Sequence, residues 1–305
     1  MTTTLTRPGT SATRRHRRRF VAPALALALL CLVGFGGWAW WHGVIEALPV
    51  REHCTATAQS RTAEISADQA GNAGIIAAVA VGRGLPGRAA TIGIATAIQE
   101  SKLTNLSGGD RDSIGLFQQR PSQGWGTPAE IRDPVYASNA FYDVLEKVEG
   151  YASLPITKAA QTVQRSAFPT AYADHEPEAR VLASALTGYS PAGFTCALAP
   201  VERPGEGEQA TAAASKALLA AATKETGRRG VAVKGAAGTV RFTLTGKGNK
   251  TTAWALAAWA VARAKGLDVV SVETDGRRWV RDGADSAWMT TTGAAPAGTV
   301  VVRVA

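Results

Sequence analysis

Glu100 closes the apolar helical run "AATIGIATAIQES", just before the chain turns into the loop "TNLSGGDRDSIGLFQQR". Ala90, Ile94, Ala97 and Ile98 recur at helical spacing, so one face of that helix is buried. A carboxyl on its last turn then lies half against the core and half in an opening. Burial against apolar groups disfavours the charged form of a carboxyl and keeps its proton available near neutral pH. Glu100 is therefore a candidate general acid, able to act afterwards as a base. The competing reading is a solvated helix end. Asp110 and Asp112, in "SGGDRDS", are candidates for a second carboxylate, and they read equally well as ordinary loop acids.

Other chemistries fit poorly. Ser101 follows Glu100, but no histidine has a natural place beside it as the base of a nucleophilic pair. The "GGDRDS" loop lacks the ligand spacing and closing glutamate of a calcium-binding EF-hand. His175 stands between Asp174 and Glu176, without the further His or Cys residues that a zinc site needs. Neither a metal nor a cofactor is expected.

The elements that must position Glu100 are mostly helical. Ser66 reads as the cap of "ADQAGNAGIIAAVAVG", and Pro86 suits the start of the Glu100 helix. Thr127 with Glu130 reads as a capping box, and Asp133-Pro134 opens "DPVYASNAFYDVLEKV". Two more helical runs follow, "ITKAAQTVQRS" and "EPEARVLASALTG", with no strand pattern between 66 and 195. After the Pro- and Gly-rich "APVERPGEGEQ" the texture changes. An alanine-rich helix, the strand "TVRFTLTG", an amphipathic helix with Trp254 and Trp259, a hairpin turning at Asp275-Gly276 and a last strand "TVVVRV" make a small α+β domain.

The formal charge of +9 is concentrated at one end. Residues 1–19 hold six arginines and no acid, leaving 27 basic against 24 acidic residues in the rest. A basic folded face for nucleic acid is therefore disfavoured. Phe20 to Trp41 is uncharged for 22 residues, enough to cross a bilayer core of about 30 Å. The arginines before it predict a cytoplasmic N-terminus, and Trp38, Trp40 and Trp41 suit the outer interface. A cleaved secretory signal is the rival, and both readings export everything beyond residue 42. There, Cys54 and Cys196 bracket one domain-sized segment and are expected to pair. The expected organisation is a tail 1–19, a transmembrane anchor 20–41, a stalk 43–65, a helical domain 66–197, a linker 198–209 and an α+β domain 210–305.

Three blocks in order give residues 97–142 a resemblance to the lysozyme-like lytic transglycosylases, the family of goose-type lysozyme. "AIQES" looks like the family's helix-ending Glu-Ser and puts Glu100 at the catalytic acid. "SIGLFQQR" is similar to Ser-x-Gly-Leu-Met-Gln, with Ser113 and Gln118 in place and Phe117 where Met is common. "DPVYASNAFYDVL" resembles the block that carries an asparagine, here Asn139. The likeness covers roughly residues 66–190 and implies a mostly α lysozyme-like domain that cuts peptidoglycan glycan strands. It also implies sugar-binding roles for Ser113, Gln118 and Asn139; for the last two, ordinary buried polar residues remain the alternative. One departure stands out. Where the family carries Tyr-Asn on a later helix, this chain has Val163 and Gln164, so the aromatic contact must come from elsewhere, with Tyr172 the candidate. That departure leaves open an inactive glycan-binding or scaffold component of an envelope assembly. Trp125, in "SQGWG", reads as a sugar-stacking ring or a loop plug. The α+β domain carries no catalytic cluster and reads as a docking module for an envelope protein partner.

Overall fold

Ser66 ends a strand and begins a helix within one residue. Its hydroxyl accepts from the backbone N–H of Gln69, while the Gln69 side chain accepts from the Ser66 N–H, a reciprocal cap. The computed structural model describes residues 51–164, 170–201, 207–228, 230–232, 236–281 and 287–305. The tail and the apolar run 20–41 fall outside these residues. No helix among the described residues is long and apolar enough to cross a membrane.

Strands β1 (His53–Ala58) and β2 (Arg61–Ser66) form a hairpin ahead of helices α1 (Ala67–Gly82) and α2 (Gly87–Ser101). Short α3 (Pro128–Ile131), α4 (Pro134–Leu145), α5 (Ile156–Gln164) and α6 (Glu176–Leu186) follow, and β3 (Phe194–Ala197) returns beside β1. The Thr127–Glu130 capping box and the Asp133 cap start α3 and α4. Next come α7 (Glu208–Thr226), β4 (Val231–Ala232), β5 (Thr239–Thr243) and α8 (Asn249–Ala262). The chain ends with β6 (Val269–Thr274), β7 (Arg277–Val280), β8 (Met289–Thr290) and β9 (Thr299–Val304). They build an antiparallel sheet in the order β4-β5-β9-β6-β7-β8.

The expected fold class, a mostly α domain plus a small α+β domain behind a transmembrane helix, is corrected here. The described residues are about 45% helix and 19% strand, with two antiparallel sheets of three and six strands, and the first sheet pairs the segment read as stalk with the end of the part read as helical. Residues 53–65, read as stalk, belong to the β1–β2 hairpin, which ends at Ser66. Its buried positions alternate, but they are Cys54, Ala56, Ala58, Ala63 and Ile65, so alanine at three of the five hides the period of two behind a helix-forming residue. Its turn, Gln59-Ser60, takes positive φ at both residues without a glycine to mark it. Cys54 and Cys196 face each other across β1 and β3 and form a disulfide. The link closes a separation of 142 positions, which stabilises by about 4–5 kcal/mol in the loop-entropy model.

Helix α8 is not amphipathic in its surroundings: residues 253–262 are all buried. One side covers the six-stranded sheet and another lies on α1, where a Cβ on Gly74 would come within 2.9 Å of the Ala262 Cβ. Gly188, after α6, approaches the α8 backbone so closely that a Cβ would meet the Thr251 carbonyl at 2.0 Å. The described residues thus pack as one unit with a continuous core. Polar ties cross the same seam. The Trp288 indole donates to the Phe194 carbonyl at 2.8 Å, and Arg281 Nε to that of Ala199 at 2.5 Å.

Candidate active site

Helix α2 stops abruptly. Lys102 and Leu103 both take left-handed backbone, φ 53° and 57°, at a cost of about 1 kcal/mol each for non-glycine residues. Side chains of α1 hold that end: Gln69 Nε2 donates to the Lys102 carbonyl at 2.9 Å and Asn72 Nδ2 to that of Leu103 at 2.8 Å. Leu103 is buried beneath them. Ser101 is buried too, and its hydroxyl donates to the Leu116 carbonyl at 2.7 Å. The Ser113–Gln119 loop is therefore tied to the residue next to Glu100.

Glu100 is half-buried at this fixed end. Its Oε1 accepts a 2.7 Å hydrogen bond from the hydroxyl of Tyr172, whose ring is 1% exposed. Three residues on, His175 Nε2 lies 2.8 Å from Gln99 Oε1 and donates in the Nε2–H tautomer. The 3-10 turn Ala173–His175 therefore packs against the end of α2 and carries Tyr172 with it. Among the described residues, no cation lies within ion-pair reach of Glu100, and its Oε2 has no hydrogen-bond partner. The arrangement can hold one carboxyl in a fixed orientation and leave an oxygen available to exchange a proton.

The other sequence candidates divide into two groups. Ser113, Gln118 and Gln164 gather around the loop tied to Ser101. Ser113 is buried, and its N–H donates to the Asp110 carbonyl. Gln118 takes φ 46°, and its Nε2 donates to the Gly115 carbonyl at 3.2 Å. Gln164 Nε2 donates to the Phe117 carbonyl at 2.6 Å, leaving its buried Oε1 without a partner. Gln164 also lines an open cleft of about 480 Å³ with Trp125, Gln123, Val144 and Val163. Trp125 is half-buried there and leans on the core.

Asn139 and the two aspartates are engaged elsewhere. Asn139 Oδ1 accepts from Arg83 Nη1 at 3.0 Å, and its Nδ2 donates to the Val135 carbonyl. Arg83, at the far end of the α1–α2 hairpin from Glu100, also pairs with Asp143 and Glu146. Asp112 accepts from the Ser122 N–H at 2.8 Å, from Arg120 Nε at 2.7 Å and from the Ser122 hydroxyl at 3.0 Å. These donors, the Ser122 N–H foremost, hold its carboxyl well below the usual range. The Asp110 side chain is 94% exposed, 4.0 Å from Arg111.

Sequence reasoning missed Gln99, which anchors His175, and Gln119, which is 1% exposed and donates to the Ala137 carbonyl at 3.2 Å. The doubled glutamine in "FQQR" was the only signal for the latter. Among the described residues, no group of three His, Cys, Asp or Glu side chains could hold a metal ion. Neither a protein-family model nor a curated protein matches this chain.

Proposed function

We propose that this protein cleaves the glycan strand of peptidoglycan, with Glu100 as general acid and then general base. The observation that carries the reading is the 2.7 Å bond from Tyr172 to a half-buried Glu100 at a rigid helix end. It supplies the aromatic neighbour that Val163 withholds. In this scheme Glu100 gives its proton to the glycosidic oxygen as oxocarbenium character develops on the sugar. The resulting carboxylate then removes the proton of the muramic acid 6-hydroxyl, whose oxygen closes on the anomeric carbon to leave an anhydro end. This lytic route needs one carboxylate. The clamping of Asp112 by Ser122 and Arg120 favours it over hydrolysis with a second carboxylate base. The three motif blocks resembling lytic transglycosylases support the same substrate. The Cys54–Cys196 disulfide supports an oxidising compartment outside the cytoplasm.

A second reading, a glycan-binding scaffold that does not cut, is favoured by the engagement of both polar ends of Asn139 within the protein. One experiment separates the two. The full chain and Glu100→Gln are incubated with purified glycan strands, and the products are read by mass spectrometry. Anhydro ends that vanish in the variant support cleavage by Glu100. Retention of intact strands by both proteins, without products, overturns it in favour of the scaffold.

A further inference from the structure

The six-stranded half holds a cleft of its own. It opens between the end of α7 and the β5–α8 connection, with an open volume of about 770 Å³. Arg228 and Lys247 line it, with Thr243, Thr245, Asn249 and Thr252. Among the described residues, no acidic side chain is in its lining. Among the described residues, neither Arg228 nor Lys247 has an ion-pair partner, whereas nearby Lys250 is held by Asp275 at 3.0 Å and Lys224 by Asp133 at 2.6 Å. Two cations left without counter-charges in a concave, hydroxyl-lined space create a local positive potential.

The backbone adds to it. Helix α8 runs for 14 residues, and its cap, Gly248, provides no side-chain acceptor. The first N–H groups of the helix therefore have no intrahelical partner and point out of its positive end. The side chain of Asn249 is turned against Gly298, so it does not cap them either.

We propose that this cleft binds an organic phosphate, a phosphate group carried on a glycerol- or sugar-sized polyol. Phosphate fits better than carboxylate, because it brings close to two negative charges and acceptor oxygens on several sides. One guanidinium, one ammonium and threonine hydroxyls line the cleft beside the first turn of α8 and can meet them. The enclosed part of the cleft, about 350 Å³, is within the range of small-ligand sites and exceeds what a bare phosphate fills, leaving threonine-lined space for a polyol. The site is separate from Glu100 and independent of what Glu100 does.

The test is calorimetric titration of the full chain at low ionic strength with glycerol 3-phosphate as the probe. Saturable one-to-one binding is expected, weakened about tenfold by Arg228→Gln or Lys247→Gln and about a hundredfold by both, at roughly one charge-assisted contact per cation. Arg228→Lys keeps the charge and is expected to retain most of the affinity, which separates lost charge from a disturbed fold. Inorganic phosphate should bind more weakly than the probe, and acetate at the same concentration should not compete. Absence of binding, equal affinity for inorganic phosphate, effective competition by acetate, or unchanged affinity in the double variant would each overturn the proposal.

Discussion

Two glutamates occupy opposite situations in this protein. Glu225, near the end of α7, is 7% exposed and fully gripped. Arg263 binds both of its oxygens at 3.0 Å, and the Trp259 indole donates to Oε2 at 2.7 Å. Glu100 is more exposed, has a neutral phenol on one oxygen, and meets no cation among the described residues. A bidentate guanidinium fixes both oxygens of a carboxylate and joins it to the fold. A phenol fixes only its direction. The first arrangement suits a seam between α7 and α8; the second leaves a group that can exchange a proton.

The sharpest break of that comparison is Glu100→Gln. If cleavage runs through this carboxyl, the variant loses about a thousandfold in rate, about 4 kcal/mol of barrier, with its melting temperature nearly unchanged. Product formation from glycan strands and thermal unfolding are measured on the same preparation. Glu225→Gln should do the reverse. Removing one partner of a buried pair leaves Arg263 uncompensated and lowers stability by about 2–3 kcal/mol, reduced from the fully buried case because Arg263 is 23% exposed. Denaturant unfolding reads the loss, and cleavage at a temperature where the variant stays folded should match the unmodified protein.

Tyr172→Phe sharpens the comparison at smaller scale. It deletes the one donor to Glu100 among the described residues and keeps the buried ring. Cleavage is expected to fall about tenfold, roughly 1.4 kcal/mol, in the same assay. An unchanged rate would remove Tyr172 from the site. The smallest effect is a pH effect at Asp112. Its folded-state ionisation is depressed, chiefly by the Ser122 N–H and then by Arg120. A depressed carboxylate contributes stability that is fully present above its ordinary unfolded value and is lost as the pH falls toward the folded one. Asp112→Asn should therefore unfold earlier than the unmodified protein at neutral pH. The two curves should converge below about pH 4. Thermal scans across that range check it.

The helices around Glu100 were legible because caps and apolar spacing are local signals. Ser66, Thr127 with Glu130, and Asp133-Pro134 each start a helix where their side chains imply. The β1–β2 hairpin was hidden because its buried face is mostly alanine and its turn lacks glycine. The roles of Asn139 and Asp112 were also out of reach. Their partners, Arg83 and Arg120, lie 56 and 8 positions away, and nothing local distinguishes a carboxamide facing a cleft from one facing an arginine.

Sequence alone fixed where Glu100 sits on its helix, which segments are helical, and that Cys54 and Cys196 bracket one segment, since these follow from local backbone chemistry and spacing. Tertiary structure alone decided that α8 is wrapped on all sides by both halves of the molecule. It also decided that Tyr172, 72 positions away, directs the Glu100 carboxyl, and that Arg228 and Lys247 share a cleft with the uncapped start of α8. The reason is physical. A side chain's donors, acceptors and counter-charges belong to whatever the folded chain brings beside it, and that distance is not written along the sequence.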